Sequence, residues 1–215
     1  MELTLHHLVR EPKIKKDKSP LLLLLHGYGS NEQDLFGFAP ELPAEYYVIS
    51  VRAPHVMYYG GSYAWYAIDF TADEKRFTDI PQASESRELI SKFIDEAIES
   101  YPIDPAQVTL VGFSQGAILS YAVALSYPQK VKQVAALSGY LNHDILAEGY
   151  DKNDFGSLRF FISHGSADQT VPVDWARKAK PFLDTLHIES VYKEYPVGHG
   201  VAPQNFFDFK SWLEK

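Results

Sequence analysis

The pentapeptide Gly112-Phe113-Ser114-Gln115-Gly116 places a serine midway between two glycines. The apolar run Val108-Thr109-Leu110-Val111 precedes it, and Ala117 to Leu125 follows it as a segment that reads as a buried helix. A strand, a sharp serine-bearing turn and a helix form the context in which G-x-S-x-G presents a nucleophile. The glycines have a steric task, because the serine backbone is strained and its neighbours pass close together. The chemistry this arrangement implies is nucleophilic attack by the Ser114 hydroxyl. A hydroxyl is a poor nucleophile until a base takes its proton and an acid orients that base.

With this elbow the partners follow in the order Ser, then Asp or Glu, then His. Downstream of Ser114 stand four histidines: His143, His164, His187 and His199. His199 lies in Pro196-Val197-Gly198-His199-Gly200, a glycine-flanked loop after the last expected strand, and is the expected base. The other three histidines are assigned structural or surface roles. The expected acid is Asp168, in the turn after the strand Phe160–His164 and one strand before His199. Asp174 is its nearest competitor, but it stands at the start of a helix, where the dipole alone accounts for an acidic residue. Asp144, Asp151 and Asp154 read as solvated loop residues. An oxyanion needs N–H donors. One is expected from the backbone of Gln115, the residue after the nucleophile. The second is expected from Tyr28 in His26-Gly27-Tyr28-Gly29, with His26 structural beneath that loop.

The elements that must carry these groups are strands alternating with helices. Strands are expected at Leu3–Val9, Leu21–His26, Tyr47–Val51, Val108–Phe113, Val134–Ser138, Phe160–His164 and Ser190–Tyr195. Several are apolar nearly throughout, as parallel strands covered on both faces are. Helices are expected at Pro81–Tyr101, Ser114–Ser126, Val173–Leu186 and Gln204–Leu213. The pattern predicts an α/β architecture with a mainly parallel central sheet and helices on both faces. In such sheets reactive groups lie beyond the carboxyl ends of the strands. The stretch from Arg52 to Ile80 is irregular and rich in aromatics, and reads either as a cover over a substrate cleft or as an excursion that completes the core.

The 215 residues read as one domain, 1–215, with 46% hydrophobic and 22% charged residues. A formal charge of −8 argues against nucleic acid or an anionic membrane as the main partner. The absence of cysteine excludes disulfides, thiolate metal sites and a cysteine nucleophile. No H-E-x-x-H pattern occurs, and no metal or other cofactor is expected. The longest apolar run, Leu21–Leu25, is far below the ~20 residues that span a bilayer, so no integral membrane association is expected. The start of the chain lacks a signal-peptide layout, and a cytoplasmic location is the default expectation.

Together, Leu21 to Gly29, Gly112 to Ala117, His164-Gly165-Ser166-Ala167-Asp168-Gln169-Thr170-Val171-Pro172 and Gly198-His199 resemble the phospholipase/carboxylesterase family of α/β-hydrolases, which includes the acyl-protein thioesterases. Trp65-Tyr66 is similar to the Trp-aromatic element that follows the family's Arg-Ala-Pro segment, here Arg52-Ala53-Pro54. The resemblance implies an α/β-hydrolase fold without a large cap domain, often dimeric. It implies a Ser114, Asp168 and His199 triad with the N–H groups of Tyr28 and Gln115 as oxyanion hole. Trp65, Tyr58, Tyr59 and Phe70 are the expected substrate-pocket residues, Trp65 foremost because it stands in the matching element. The expected activity is hydrolysis of small-molecule or lipid-like carboxylic esters, with short to medium acyl chains, since no groove for a long chain is legible. The alternatives are an acyl-protein thioesterase, lysophospholipase or acyl transferase with the same triad, and a non-enzymatic ligand-binding protein on the same fold.

Overall fold

Leu21, Leu22, Leu23, Leu24 and Leu25 are all fully buried. Side chains alternate across a strand, so Leu21, Leu23 and Leu25 join one apolar cluster while Leu22 and Leu24 join another. A strand with a core on each face belongs in the middle of a covered sheet. Each leucine contributes about 1.5–3 kcal/mol through burial. The computed structural model, which describes residues 3–57, 60–69 and 77–215, places it there.

The strands are β1 (His7–Arg10), β2 (Ser19–Leu25), β3 (Tyr47–Val51), β4 (His55–Val56), β5 (Tyr63–Ala64), β6 (Ile68–Asp69), β7 (Phe77–Thr78), β8 (Ile103–Phe113), β9 (Gln133–Leu137), β10 (Arg159–Gly165) and β11 (Glu189–Tyr195). The helices are α1 (Gln33–Phe36), α2 (Ile80–Ser100), α3 (Gln115–Ser126), α4 (Val173–Ala176), α5 (Ala179–Thr185) and α6 (Pro203–Leu213). Seven strands form the central sheet in the order β1-β3-β2-β8-β9-β10-β11. All neighbours pair in parallel except β1, which runs antiparallel to β3 at the edge. Helices α2, α3 and α5 cover one face, and α1 and α6 the other. This is an α/β-hydrolase fold, and no large cap stands over the strand ends among the described residues. β4–β5 and β6–β7 are short hairpins between β3 and α2.

The topology places the site. From β2 the chain moves to β3 on one side and later returns to β8 on the other. The carboxyl ends of β2 and β8 therefore flank a switch point, where loops diverge and leave a crevice. Tyr28 follows β2 there, and Ser114 follows β8.

Three elements depart from the sequence expectation. β1 starts at His7 rather than Leu3, because the Thr4 N–H donates to Glu96 of α2 at 2.8 Å instead of to a strand. β8 begins at Ile103, and its pairing with β2 shifts register between Ser19 and Leu21. The expected helix Val173–Leu186 is two helices, broken at Arg177-Lys178. Pro181 accounts for the break: it has no N–H for the carbonyl of residue 177, and its ring crowds that carbonyl. Among the described residues no helix is long and apolar enough to cross a membrane.

Helix α6 is tied to β11 by Asp208, which accepts from Tyr195 Oη at 2.7 Å, Lys193 Nζ at 2.9 Å and Gln204 Nε2 at 2.9 Å. These bonds, that of Tyr195 first, lower its pKa to about 2. A carboxyl depressed in the folded state stabilises above its ordinary range, and that stability is lost as pH falls through the folded value. Asp208→Asn is therefore expected to cost about 1 kcal/mol at neutral pH. The gap to wild type should close as the pH approaches about 2. Urea unfolding across that range measures it, and a pH-independent gap contradicts it.

Candidate active site

Ser114 leaves β8 and enters α3 at φ 52° and ψ −114°. Few L-residues adopt that region, and they persist there only where their surroundings hold them. Ser114 N–H donates to Leu137 O at 2.9 Å, and Ser114 C=O accepts from Ile118 N at 3.1 Å. The close packing expected around the elbow is present. A Cβ on Gly112 would lie 2.4 Å from the Gly116 carbonyl, and one on Gly116 would lie 2.0 Å from Leu25 O.

His199 and Asp168 arrive from two other strand ends. His199 Nε2 lies 2.9 Å from Ser114 Oγ, and His199 Nδ1 lies 2.7 Å from Asp168 Oδ2. The Asp168 side chain is fully buried, whereas that of His199 keeps 18% exposure. Asp168 Oδ1 is held by the N–H groups of Thr170 at 2.8 Å and Val171 at 2.9 Å. With both oxygens engaged, the carboxylate has one orientation. The Phe113 ring packs 4.9 Å from the imidazole. Asp174, the rejected competitor, lies in α4 with its side chain 77% exposed and paired to Arg177. The two loops meet because Gly165 has no side chain: a Cβ there would lie 2.2 Å from Gly198 O.

The two expected oxyanion donors sit on either side of the crevice. Gln115 is the first residue of α3, where backbone N–H groups have no partner within the helix. Tyr28 follows Gly27, whose Cα comes so close to the elbow that a Cβ would lie 3.4 Å from Ser114 Cβ. The loop is pinned beyond Tyr28. Gly29, at φ +77°, donates to Tyr63 O at 2.9 Å, and Ser62 Oγ donates back to Gly29 O at 2.5 Å. Glu32 is buried and receives Arg52 Nε at 2.7 Å and Nη2 at 2.6 Å. The Arg52 hydrogen bonds hold its carboxyl below the usual carboxylate range. His26 is fully buried beneath the loop. Its Nε2 accepts from Ala53 N at 3.0 Å, so Nδ1 carries the hydrogen and donates to Gly27 O at 2.7 Å. Burial lowers its pKa.

Trp65 is placed differently from expectation. It is fully buried in the core rather than on a pocket wall. Its indole N–H donates to His26 O at 3.0 Å, and its backbone N–H donates to Gln115 Oε1 at 2.8 Å. Gln115 Nε2 donates to Tyr66 O at 2.8 Å. One side chain thus clamps the 65–66 backbone to the elbow, and the indole clamps it to the end of β2. Tyr58, Tyr59 and Phe70 lie outside the described residues. Trp65→Phe keeps a ring but leaves the buried His26 carbonyl unpaired, a loss of about 1–3 kcal/mol. We expect kcat to fall roughly tenfold with KM nearly unchanged, because an oxyanion site acts on the transition state. Steady-state kinetics on a soluble ester checks it, and a change confined to KM would contradict it.

Sequence reasoning missed two neighbours. Ser138, at φ 54°, turns the chain after β9 and donates from Oγ to Gly200 O at 3.4 Å. His164 is fully buried with Nε2 3.2 Å from Asp168 Oδ2. Its spacing of four residues from Asp168 was the available signal. Among the described residues, no cluster of three or more His, Asp or Glu side chains is set to hold a metal ion.

Known proteins resemble this chain in sequence and in fold. Acyl-protein thioesterase 1 of Saccharomyces cerevisiae is 28% identical over 209 residues, covering 90% of this chain and 91% of that protein. Acyl-protein thioesterase 1 of Aspergillus fumigatus is 30% identical over 144 residues, covering 65% of this chain and 59% of that protein, so the match spans little more than half of the fungal relative. The crystal structure of esterase PE8 superposes with a TM-score of 0.83 at 26% identity, covering 100% of this chain and 99% of that one. The sequence model of the Phospholipase/Carboxylesterase family matches residues 6–215. With nearly the whole chain matched and a serine, a histidine and an aspartate in one hydrogen-bonded line at the strand ends, the chain belongs to the phospholipase/carboxylesterase family.

Proposed function

We propose that the protein is a serine hydrolase that cleaves carboxylic esters through an acyl-enzyme on Ser114. The observation that carries this is the unbroken line Asp168 Oδ2, His199 Nδ1 and Nε2, Ser114 Oγ, with contacts of 2.7 and 2.9 Å. Ser114 Oγ attacks the acyl carbon as His199 Nε2 takes its proton. Asp168 holds the Nδ1–H tautomer and stabilises the imidazolium. The N–H groups of Gln115 and Tyr28 receive the developing oxyanion. Collapse of the tetrahedral intermediate expels the alcohol, which takes the proton from His199. Water, deprotonated by the same imidazole, then releases the acid and restores Ser114.

A pocket of about 380 Å³ opens beside the oxyanion loop. Tyr28, Val56, Met57, Ala64 and Ala67 are among its lining residues. The thioesterase relatives favour a second reading, hydrolysis of an S-acyl ester by the same steps. Hydrolysis of p-nitrophenyl esters from acetyl to palmitoyl, beside S-acyl thioesters of matched chain length, separates the two. Ser114-dependent turnover that peaks at short or medium oxygen esters supports the proposal. A peak at long-chain thioesters moves the assignment to the second reading, and no Ser114-dependent turnover overturns both.

A further inference from the structure

We propose that His164 is a positioning residue of the triad, a second histidine that holds the carboxylate on which His199 depends. The inference rests on the Ser114–His199–Asp168 reading above.

His164 lies near the end of β10, four residues before Asp168, and both side chains are fully buried. Its Nε2 is 2.9 Å from Val171 O and 3.2 Å from Asp168 Oδ2. Both neighbours are acceptors, so Nε2 carries the hydrogen. It donates to Val171 O and sets its polar edge beside Oδ2, the oxygen that takes His199 Nδ1. Val171 in turn donates its N–H to Asp168 Oδ1. His164 therefore anchors the turn that grips one carboxylate oxygen and lies against the other.

The other ring nitrogen makes no hydrogen bond. His164 Nδ1 is buried with no hydrogen-bond partner among the described residues. His26 and His7 both engage their two ring nitrogens, whereas His55 Nε2 is buried without a partner among the described residues, as His164 Nδ1 is. A buried nitrogen without a partner costs free energy, and a leucine would fill the space without that cost. What His164 adds over leucine is an N–H at Val171 and Asp168.

The charged groups around it are few. Glu194 stands opposite His164 on β11 and is held by Arg177 at 2.7 and 2.9 Å and by Tyr192 Oη at 2.8 Å. Glu194 and Asp168 are its anionic neighbours, Asp168 the one in contact at 3.2 Å, with His199 and Ser114 beyond it. The N–H is given to Val171 O, and its partial positive charge lies 3.2 Å from Oδ2, the oxygen that pairs with His199. Removing it leaves the carboxylate more basic and favours the imidazolium. The acid limb of the pH–rate profile should then move to higher pH.

The test compares His164→Leu, His164→Asn and His164→Gln with wild type. The glutamine amide reaches the Nε2 position and keeps the donor, whereas leucine has none and the asparagine amide stops short. Leu and Asn are expected to lower kcat about tenfold, the scale seen when groups that orient a site are lost, with KM unchanged. They are expected to move the acid limb upward, and Gln is expected to restore both. NMR titration of the His199 imidazole reads the same upward shift without turnover, so it decides the role of His164 even if esters prove not to be substrates. Should His164→Leu fail to fold, His164→Asn carries the comparison. The proposal is overturned if the folded Leu or Asn variant keeps the wild-type kcat and His199 titration. It is equally overturned if Gln is as impaired as they are, or if activity falls only in step with the folded fraction.

Discussion

Ser114→Ala is expected to lower kcat by roughly 10⁶-fold, the scale of nucleophile loss in a triad enzyme. The fold should survive, because alanine keeps the Cβ and the backbone bonds from Ser114 to Leu137 and Ile118 do not involve the hydroxyl. The positive φ of 52° is borne by alanine as it is by serine. Activity and stability should therefore separate: a dead enzyme with an unchanged melting curve. A residual rate of about 10³–10⁴ over water is expected from the oxyanion donors and substrate binding, which the substitution leaves in place. The measurement is kcat beside thermal unfolding monitored by circular dichroism. Substantial turnover in the folded variant would remove Ser114 from the mechanism.

Gly116→Ala should show the opposite coupling, a loss of activity that comes through structure. Its new Cβ would lie 2.0 Å from Leu25 O, 2.6 Å from Leu25 C and 2.8 Å from His26 O. These are backbone atoms at and just past the end of the central strand, so no side chain can swing away. Either α3 lifts off β2 or β2 shifts among neighbours that pack it on both faces. Overpacking of this kind costs about 1–3 kcal/mol and occasionally more, and a clash with backbone belongs at the upper end. Against a total stability of about 5–15 kcal/mol, the variant should melt well below wild type. The shift would also carry the Gln115 N–H away from the Tyr28 loop, so kcat should fall in the molecules that remain folded. Gly60→Ala is the control, since its Cβ would meet nothing within 4 Å among the described residues. Denaturant unfolding and kcat of the two variants test the contrast, and equal stability would contradict it.

The inner strands were legible because β2, β3, β9 and β10 are apolar runs whose burial is close to complete, whereas the edge strands β1 and β11 are only half-buried and offer a weaker pattern. The elbow was legible because strand, glycine-flanked serine and buried helix are contiguous. Asp168 and His199 followed from chain order and from their loops. The split at Arg177-Lys178 was hidden by the apolar spacing of the whole segment, although Pro181 marked it. The short helix α1 offers only four residues of pattern, too few for a helical period to show.

What local order along the chain indicates is the candidate reacting groups and the strands that carry them, because those depend on near neighbours and on hydrophobic period. What depends on residues far apart in sequence had to wait for the fold. Trp65 became a strut rather than a pocket wall only when His26, 39 residues away, and Gln115, 50 residues away, were brought against it. Ser138 gained its place through Gly200, 62 residues on. His164 is the instructive exception, because its partner is only four residues away. A histidine at the end of a strand reads alike whether it packs or positions. The difference lies in a 3.2 Å approach to a buried carboxylate, and only tertiary packing excludes the water that would otherwise make that contact weak.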